Sequence, residues 1–135
     1  MKAKKVEAII ERASDGGYGI YIPALPGIGV IGDTEEGAKA NLMEVISDIA
    51  EQCKKDGVKD YVNGGNLVVS YRYDPSAFFK TFNMFNVSHL AKAVGVNSSL
   101  MRQYKTGKIY ISEARKKQIE NGIHNLANDL LQVRF

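Results

Sequence analysis

The pair Asp74-Pro75 constrains the fold of this 135-residue chain more than any other dipeptide in it. Proline presets φ near the helical value and lacks an N–H that a first helical turn would leave unsatisfied, and aspartate is a good cap, so the pair reads as a helix start. It separates two stretches whose apolar residues recur with different periods. Before it, short alternating runs are punctuated by glycine and proline; after it, apolar positions recur every three or four residues. Charge divides at the same place. Residues 1–74 carry nine Lys+Arg against twelve Asp+Glu, a net −3, and residues 75–135 carry nine against three, a net +6. The pattern predicts an α+β chain of two domains, 1–74 and 75–135, with an anionic partner for the second.

In the first domain Val6, Ala8 and Ile10 alternate as on a half-buried strand. Ser14-Asp15-Gly16-Gly17 is a turn signal, so residues 18–22 should return antiparallel. Pro23-Ala24-Leu25-Pro26-Gly27 makes a stiff corner, because each proline fixes its own φ and restricts its predecessor. Residues 28–31 read as a third strand. Asp33 with Glu36 has capping-box spacing, and Thr34 is the alternative cap one residue later. Ala38, Leu42, Val45, Ile46, Ile49, Ala50 and Cys53 then form one helical stripe that Asp56-Gly57 ends. A fourth strand over residues 67–73 places Leu67, Val69 and Tyr71 on one face. The order β-β-β-α-β suffices for a sheet with one helix packed across it.

In the second domain Phe78, Phe79, Phe82 and Phe85 are four of the chain's five phenylalanines, within eight residues, and mark the start of a separate core. Leu90, Ala91 and Val94 then face inward from a short helix, Ala91 being small where a second helix must cross. Gly95 supplies a positive φ at a turn, Val96 packs beneath it, Asn97 caps the next helix, and Met101 and Tyr104 are i, i+3 core positions. This is a helix-turn-helix pattern. The exposed face of its second helix would carry Ser98, Ser99, Arg102, Gln103 and Lys105, with Lys108 just beyond. Those side chains suit DNA: hydroxyls for phosphates, glutamine for adenine, arginine for guanine, lysine for the backbone. Ser112 caps a last helix with Ala114, Ile119, Ile123, Leu126, Ala127, Leu130 and Leu131 near helical spacing. Gly122 weakens that helix by about 1 kcal/mol relative to alanine, which points to close approach of another element. Gln132-Val133-Arg134-Phe135 fits a short strand or a frayed end equally.

Several patterns imitate chemistry. Gly27-Ile28-Gly29-Val30-Ile31-Gly32 matches G-x-G-x-x-G, but a dinucleotide fingerprint follows a parallel strand and opens a helix, whereas a proline corner precedes these glycines. Glu7, Glu11, Asp33, Glu36, Glu44 and Asp48 would make a metal-dependent nuclease only if they converged. His89 and His124 have no second His or Cys at ligand spacing. A lone Cys53 excludes an intramolecular disulfide framework and reads as a buried small hydrophobe. No uncharged stretch is long and apolar enough for a membrane span, and no apolar run follows the basic start as in a signal peptide. The expectation is a cytoplasmic, reduced protein without metal or cofactor, its sequons at Asn86 and Asn97 being accidental.

Tyr18-Gly19-Ile20-Tyr21-Ile22-Pro23-Ala24-Leu25-Pro26-Gly27, followed by Gly32-Asp33-Thr34-Glu35-Glu36-Gly37-Ala38, resembles the N-terminal domain of HicB-like antitoxins. From Ser70 onward the chain resembles the DNA-binding half of a HicB subgroup, through Asn86-Val87-Ser88, Val94-Gly95-Val96-Asn97, Leu100-Met101-Arg102-Gln103-Tyr104 and Ile111-Ser112. The resemblance implies a partial ribonuclease H-like fold used for binding and not for catalysis. It implies a HicA-type toxin, a small basic RNA-cleaving protein, as partner, with Tyr18, Tyr21, Pro23, Leu25 and Pro26 as candidate toxin contacts. It also implies operator DNA as the second domain's partner. Because one recognition helix reads only a half-site, tight binding calls for a homodimer or a higher homo-oligomer. Ala24 stands where family members often carry a polar or acidic residue, so a contact there would be packing and not charge. Two other readings compete: a stand-alone transcriptional repressor whose first domain senses a small ligand, and a metal-dependent nuclease.

Overall fold

A computed structural model describes residues 2–135. The chain divides into two compact units, Met1–Ala77 and Phe78–Phe135, three residues beyond the expected cut. The described residues form an α+β structure with one four-stranded sheet and five α-helices: β1 (Lys4–Arg12), β2 (Tyr18–Tyr21), β3 (Gly29–Gly32), α1 (Glu35–Asp56), β4 (Leu67–Tyr73), α2 (Pro75–Thr81), α3 (Val87–Val94), α4 (Ser98–Thr106) and α5 (Glu113–Leu131). The boundary between the units falls inside α2.

The sheet of the first unit has the order β3-β2-β1-β4. β1 pairs antiparallel with β2 (Ile9 opposite Tyr21), and β2 antiparallel with β3 (Tyr18 opposite Gly32). β4 lies parallel to β1, with Val6 opposite Val69, which requires the long crossover that α1 provides. Alternation along the strands buries Val6, Ala8, Ile10, Tyr18 and Ile20 together with Ala38, Leu42 and Ile46 of α1. Each fully buried Leu or Ile side chain contributes about 1.5–3 kcal/mol. The intervening residues Glu7, Glu11, Tyr21, Ile31, Val68 and Arg72 are exposed, and Arg72 pairs with Glu7 at 3.3 Å.

Thr34, not Asp33, caps α1: its backbone is extended and its Oγ1 accepts from the Gly37 N–H at 3.0 Å. At the other end Gly57 adopts φ 64° and its N–H donates to the Cys53 carbonyl. Gly32 has a packing role, since a Cβ there would lie 2.6 Å from the Ala38 nitrogen. Only glycine lets α1 cross β3 so closely. The first turns of α1 are also tied to β4. Tyr73 donates its hydroxyl to Glu35 at 2.6 Å, and Lys39 pairs with Glu35 at 3.0 Å while lying 4.6 Å from the centre of the Tyr71 ring. Burial, and then the Glu35 carboxylate, push the Tyr73 hydroxyl well above its ordinary value, so it stays a donor.

The second unit buries Phe79, Leu90, Ala91, Val94, Val96, Met101, Tyr104, Ile111 and Ile119. Phe78 sits at the centre of an aromatic group, edge-on to Phe79 at 5.3 Å and within 5.1 and 6.3 Å of Phe82 and Phe85. Ser112 caps α5 by accepting from the Arg115 N–H. The apolar stripe expected on α5 is only partly used. Ile119 is buried and Ile123 and Leu126 pack partly against the core, but Ala114, Ala127, Leu130 and Leu131 are exposed. The reason is length: α5 has 19 residues, about 28 Å, whereas the helix it packs on, α3, has eight, about 12 Å. Residues 132–135 form no strand and are exposed.

Candidate nucleic-acid interface

The site is built on α3, a three-residue connection and α4. Asn86 caps α3 by accepting from the His89 N–H at 3.0 Å. Gly95 ends it at φ 79°, with its N–H on the Ala91 and Lys92 carbonyls. Two residues later Asn97 Oδ1 accepts from the amides of Ser99 (2.9 Å) and Leu100 (3.2 Å) and starts α4. Gln118 of α5 reinforces the turn, its Nε2 donating to the Gly95 carbonyl at 2.9 Å.

Met101 and Tyr104 of α4 are buried, so the helical period turns Ser99, Arg102 and Gln103 outward. Ser98 is half-buried, Lys105 is exposed on the flank of that face, and Lys108 is exposed just after Gly107 ends the helix at φ 74°. The face carries uncompensated positive charge. Residues 75–112 contain five Lys+Arg and no Asp or Glu, and the three acidic residues of the second unit all lie on α5. Two of them, Glu113 and Glu120, pair with Lys116 and Lys117 of the same helix. Among the described residues Lys92, Arg102, Lys105 and Lys108 have no acidic partner within 4.0 Å. Arg102 is nevertheless held in place: Nη1 donates to Ser88 Oγ of α3 at 2.7 Å, and Nη2 to Ser99 Oγ at 3.3 Å.

In the first unit the proline corner is two successive turns, with the Leu25 N–H on the Ile22 carbonyl and the Ile28 N–H on the Leu25 carbonyl. Of the five candidate contacts there, Tyr18 and Leu25 belong to the core, while Tyr21, Pro23 and Pro26 are exposed beside Ala24. Alternation of exposed and buried residues through the corner explains the split. The glycine-rich 27–32 stretch ends in an antiparallel strand, unlike a dinucleotide fingerprint. Among the described residues no three His, Cys, Asp or Glu side chains come together as metal ligands. Glu11 instead feels the like charge of Asp74; partial burial, and then that repulsion, raise its carboxyl above the ordinary range. His89 and His124 are exposed and Cys53 is buried. Among the described residues no helix is long and apolar enough to cross a membrane.

Over 56 aligned residues this chain is 46% identical to the UPF0150 protein ssl0738 of Synechocystis sp. (strain ATCC 27184 / PCC 6803 / Kazusa), a match covering 42% of this chain and 76% of that one. This chain belongs to the UPF0150 family. No family model matches it, and no solved structure does.

One residue of this UPF0150 chain joins the α4 face without having been legible in its sequence. Ser88 lies 14 positions before Arg102 on another helix, so only the tertiary pairing of α3 with α4 reveals their contact.

Proposed function

We propose that this UPF0150 chain is a HicB-like antitoxin and autorepressor. Its first unit binds and blocks a HicA-type RNA-cleaving toxin, and its second binds operator DNA through a helix-turn-helix. The observation that carries the reading is the α4 face: hydroxyls, an amide and cations on a helix held at both ends, in a stretch with no acidic residue. On that face Gln103 would read adenine and Arg102 guanine, while Ser98, Ser99, Lys105 and Lys108 would take phosphates. One such helix reads a half-site. Two-fold sites lie about 34 Å apart, so the binding species is a homodimer. The exposed Leu130 and Leu131 of α5 supply apolar surface for assembly.

For the first unit, the β-β-β-α-β order with β4 parallel to β1 fits a partial ribonuclease H-like fold. In this reading the unit acts by binding. Its net charge of −3 favours association with a basic toxin, because complementary charge raises the rate and suppresses wrong partners. Exposed Tyr21, Pro23, Ala24 and Pro26 offer the toxin an apolar corner. Both partners place the protein in the cytoplasm.

The reading predicts a neighbouring reading frame for a small basic protein, and the test is co-expression with that protein. A stable complex, restored growth, and binding of the complex or the free chain to the DNA upstream of the pair are the expected results. A chain that binds neither that protein nor that DNA overturns the reading.

A further inference from the structure

We propose that Ser88 is a positioning residue for sequence reading by Arg102, its oxygen holding the guanidinium while its own proton goes to a DNA phosphate. The inference rests on the DNA-binding reading above and adds to it a residue from outside the recognition helix. An arginine on an exposed helix face is ordinarily spread over many rotamers, and ordering it on binding costs side-chain entropy. Here Arg102 is ordered in the free protein by two acceptors, Ser88 Oγ at 2.7 Å and Ser99 Oγ at 3.3 Å.

The stoichiometry of donors allows the second half of the proposal. A guanidinium has five N–H groups, and the two serines take two. Three remain, enough for the bidentate pair that guanine O6 and N7 accept. A serine hydroxyl that accepts through a lone pair still has its proton to give. Ser88 is the second residue of α3, in the first turn, where the helix end is positive and an anion is favoured. Phosphate oxygens are the usual acceptors for such hydroxyls. The result is a chain of hydrogen bonds from phosphate through Ser88 and Arg102 to a base. Docking of the backbone and reading of the sequence are then coupled through one hydroxyl.

A serine that merely stapled α3 to α4 would affect stability and not discrimination. The experiment therefore measures affinity of the full chain, by fluorescence anisotropy, for duplex DNA from upstream of its own reading frame and for a scrambled duplex of equal length. Wild type, Ser88→Ala, Ser88→Thr, Arg102→Ala and the Ser88→Ala/Arg102→Ala double variant are compared, with melting temperatures of each. Ser88→Ala should weaken upstream-DNA binding about tenfold, the scale of a lost hydrogen bond to a charged group. Binding to the scrambled duplex should fall much less, and Ser88→Thr, which keeps the hydroxyl, should restore discrimination. With Arg102 already replaced, removing Ser88 should leave the upstream-to-scrambled ratio unchanged. Equal losses on both duplexes, or no loss on either, overturn the role of Ser88 while leaving DNA binding intact. Failure of the wild-type chain to distinguish the duplexes overturns the sequence-reading role of this helix and Ser88 with it.

Discussion

Replacing Gly122 by alanine should destabilise the second unit, although alanine is the better helix former. A Cβ at residue 122 would lie 2.5 Å from Val94 Cβ, 2.6 Å from Val94 Cγ1 and 2.9 Å from Val94 Cα. Favourable carbon contacts lie at about 3.5–4.0 Å, so α3 and α5 would overlap by about an ångström. Val94 is buried and β-branched, and its Cβ and Cα move only with the α3 backbone, so a rotamer change relieves one contact of three. Overpacking of this kind costs about 1–3 kcal/mol. Alanine gives back about 1 kcal/mol in helix propensity. Because two of the three overlaps involve atoms fixed to the backbone, the cost lies toward its upper end, leaving a net loss of about 1–2 kcal/mol. For a unit of this size each kcal/mol lowers the melting temperature by roughly 4–8 °C, so the fall should be roughly 5–15 °C. Urea and thermal unfolding followed by circular dichroism measure it. Hydrogen exchange should locate the loss in peptides from α3 and α5. Adding Val94→Ala removes only the Cγ1 overlap and should not restore the wild-type value. A Gly122→Ala chain as stable as wild type, or more so, would refute the close approach of α3 and α5.

Arg102→Ala should cost about 1–3 kcal/mol on the preferred duplex and relax base preference, whereas Lys108→Ala should weaken all sequences alike and reduce the salt slope by about one; anisotropy titrations over a range of salt separate the two. Thr34→Ala removes the oxygen that accepts from the Gly37 N–H and should lower stability of the first unit by about 0.5–2 kcal/mol, with Thr34→Ser close to wild type by urea unfolding. Glu11 tests the electrostatics, because its carboxyl is raised in the folded state by burial and by Asp74. Between the ordinary and the raised value the folded chain binds more protons than the unfolded one, so stability falls as pH rises through that window and stays lower above it. Glu11→Gln should therefore raise the melting temperature at pH 7 and lose that advantage below the ordinary carboxylate range. A variant less stable than wild type at pH 7 would contradict the assignment.

Much of this architecture is written locally. Asp56-Gly57, Gly95, Asn97 and Ser112 end or start helices through contacts a few residues long, and their roles follow from residue type and spacing. Val6, Ala8, Ile10, Leu90, Ala91, Val94, Met101 and Tyr104 are buried where periodicity places them. Thr34 displaced Asp33 as the cap because both are good acceptors one residue apart, and the helix entry geometry chose between them. Other features depend on what lies opposite, which no local window contains. Leu130 and Leu131 have the spacing of core residues but outrun the short helix that buries Ile119. Tyr18 and Leu25 lie in the same corner as Tyr21 and Pro23, and the position of the sheet against α1 decides which of them reach solvent.

The sequence alone determined the helical and extended segments, the two charge regimes and the outward face of α4, since each depends on period, caps and counting. Only the tertiary structure decided that β4 runs parallel to β1, that Gly32 is a point of close approach, that Val94 is what approaches Gly122, and that Ser88 holds Arg102. Those facts join residues from 6 to about 60 positions apart on different elements, and such contacts are selected by the packing of whole elements, not by the neighbours of either residue.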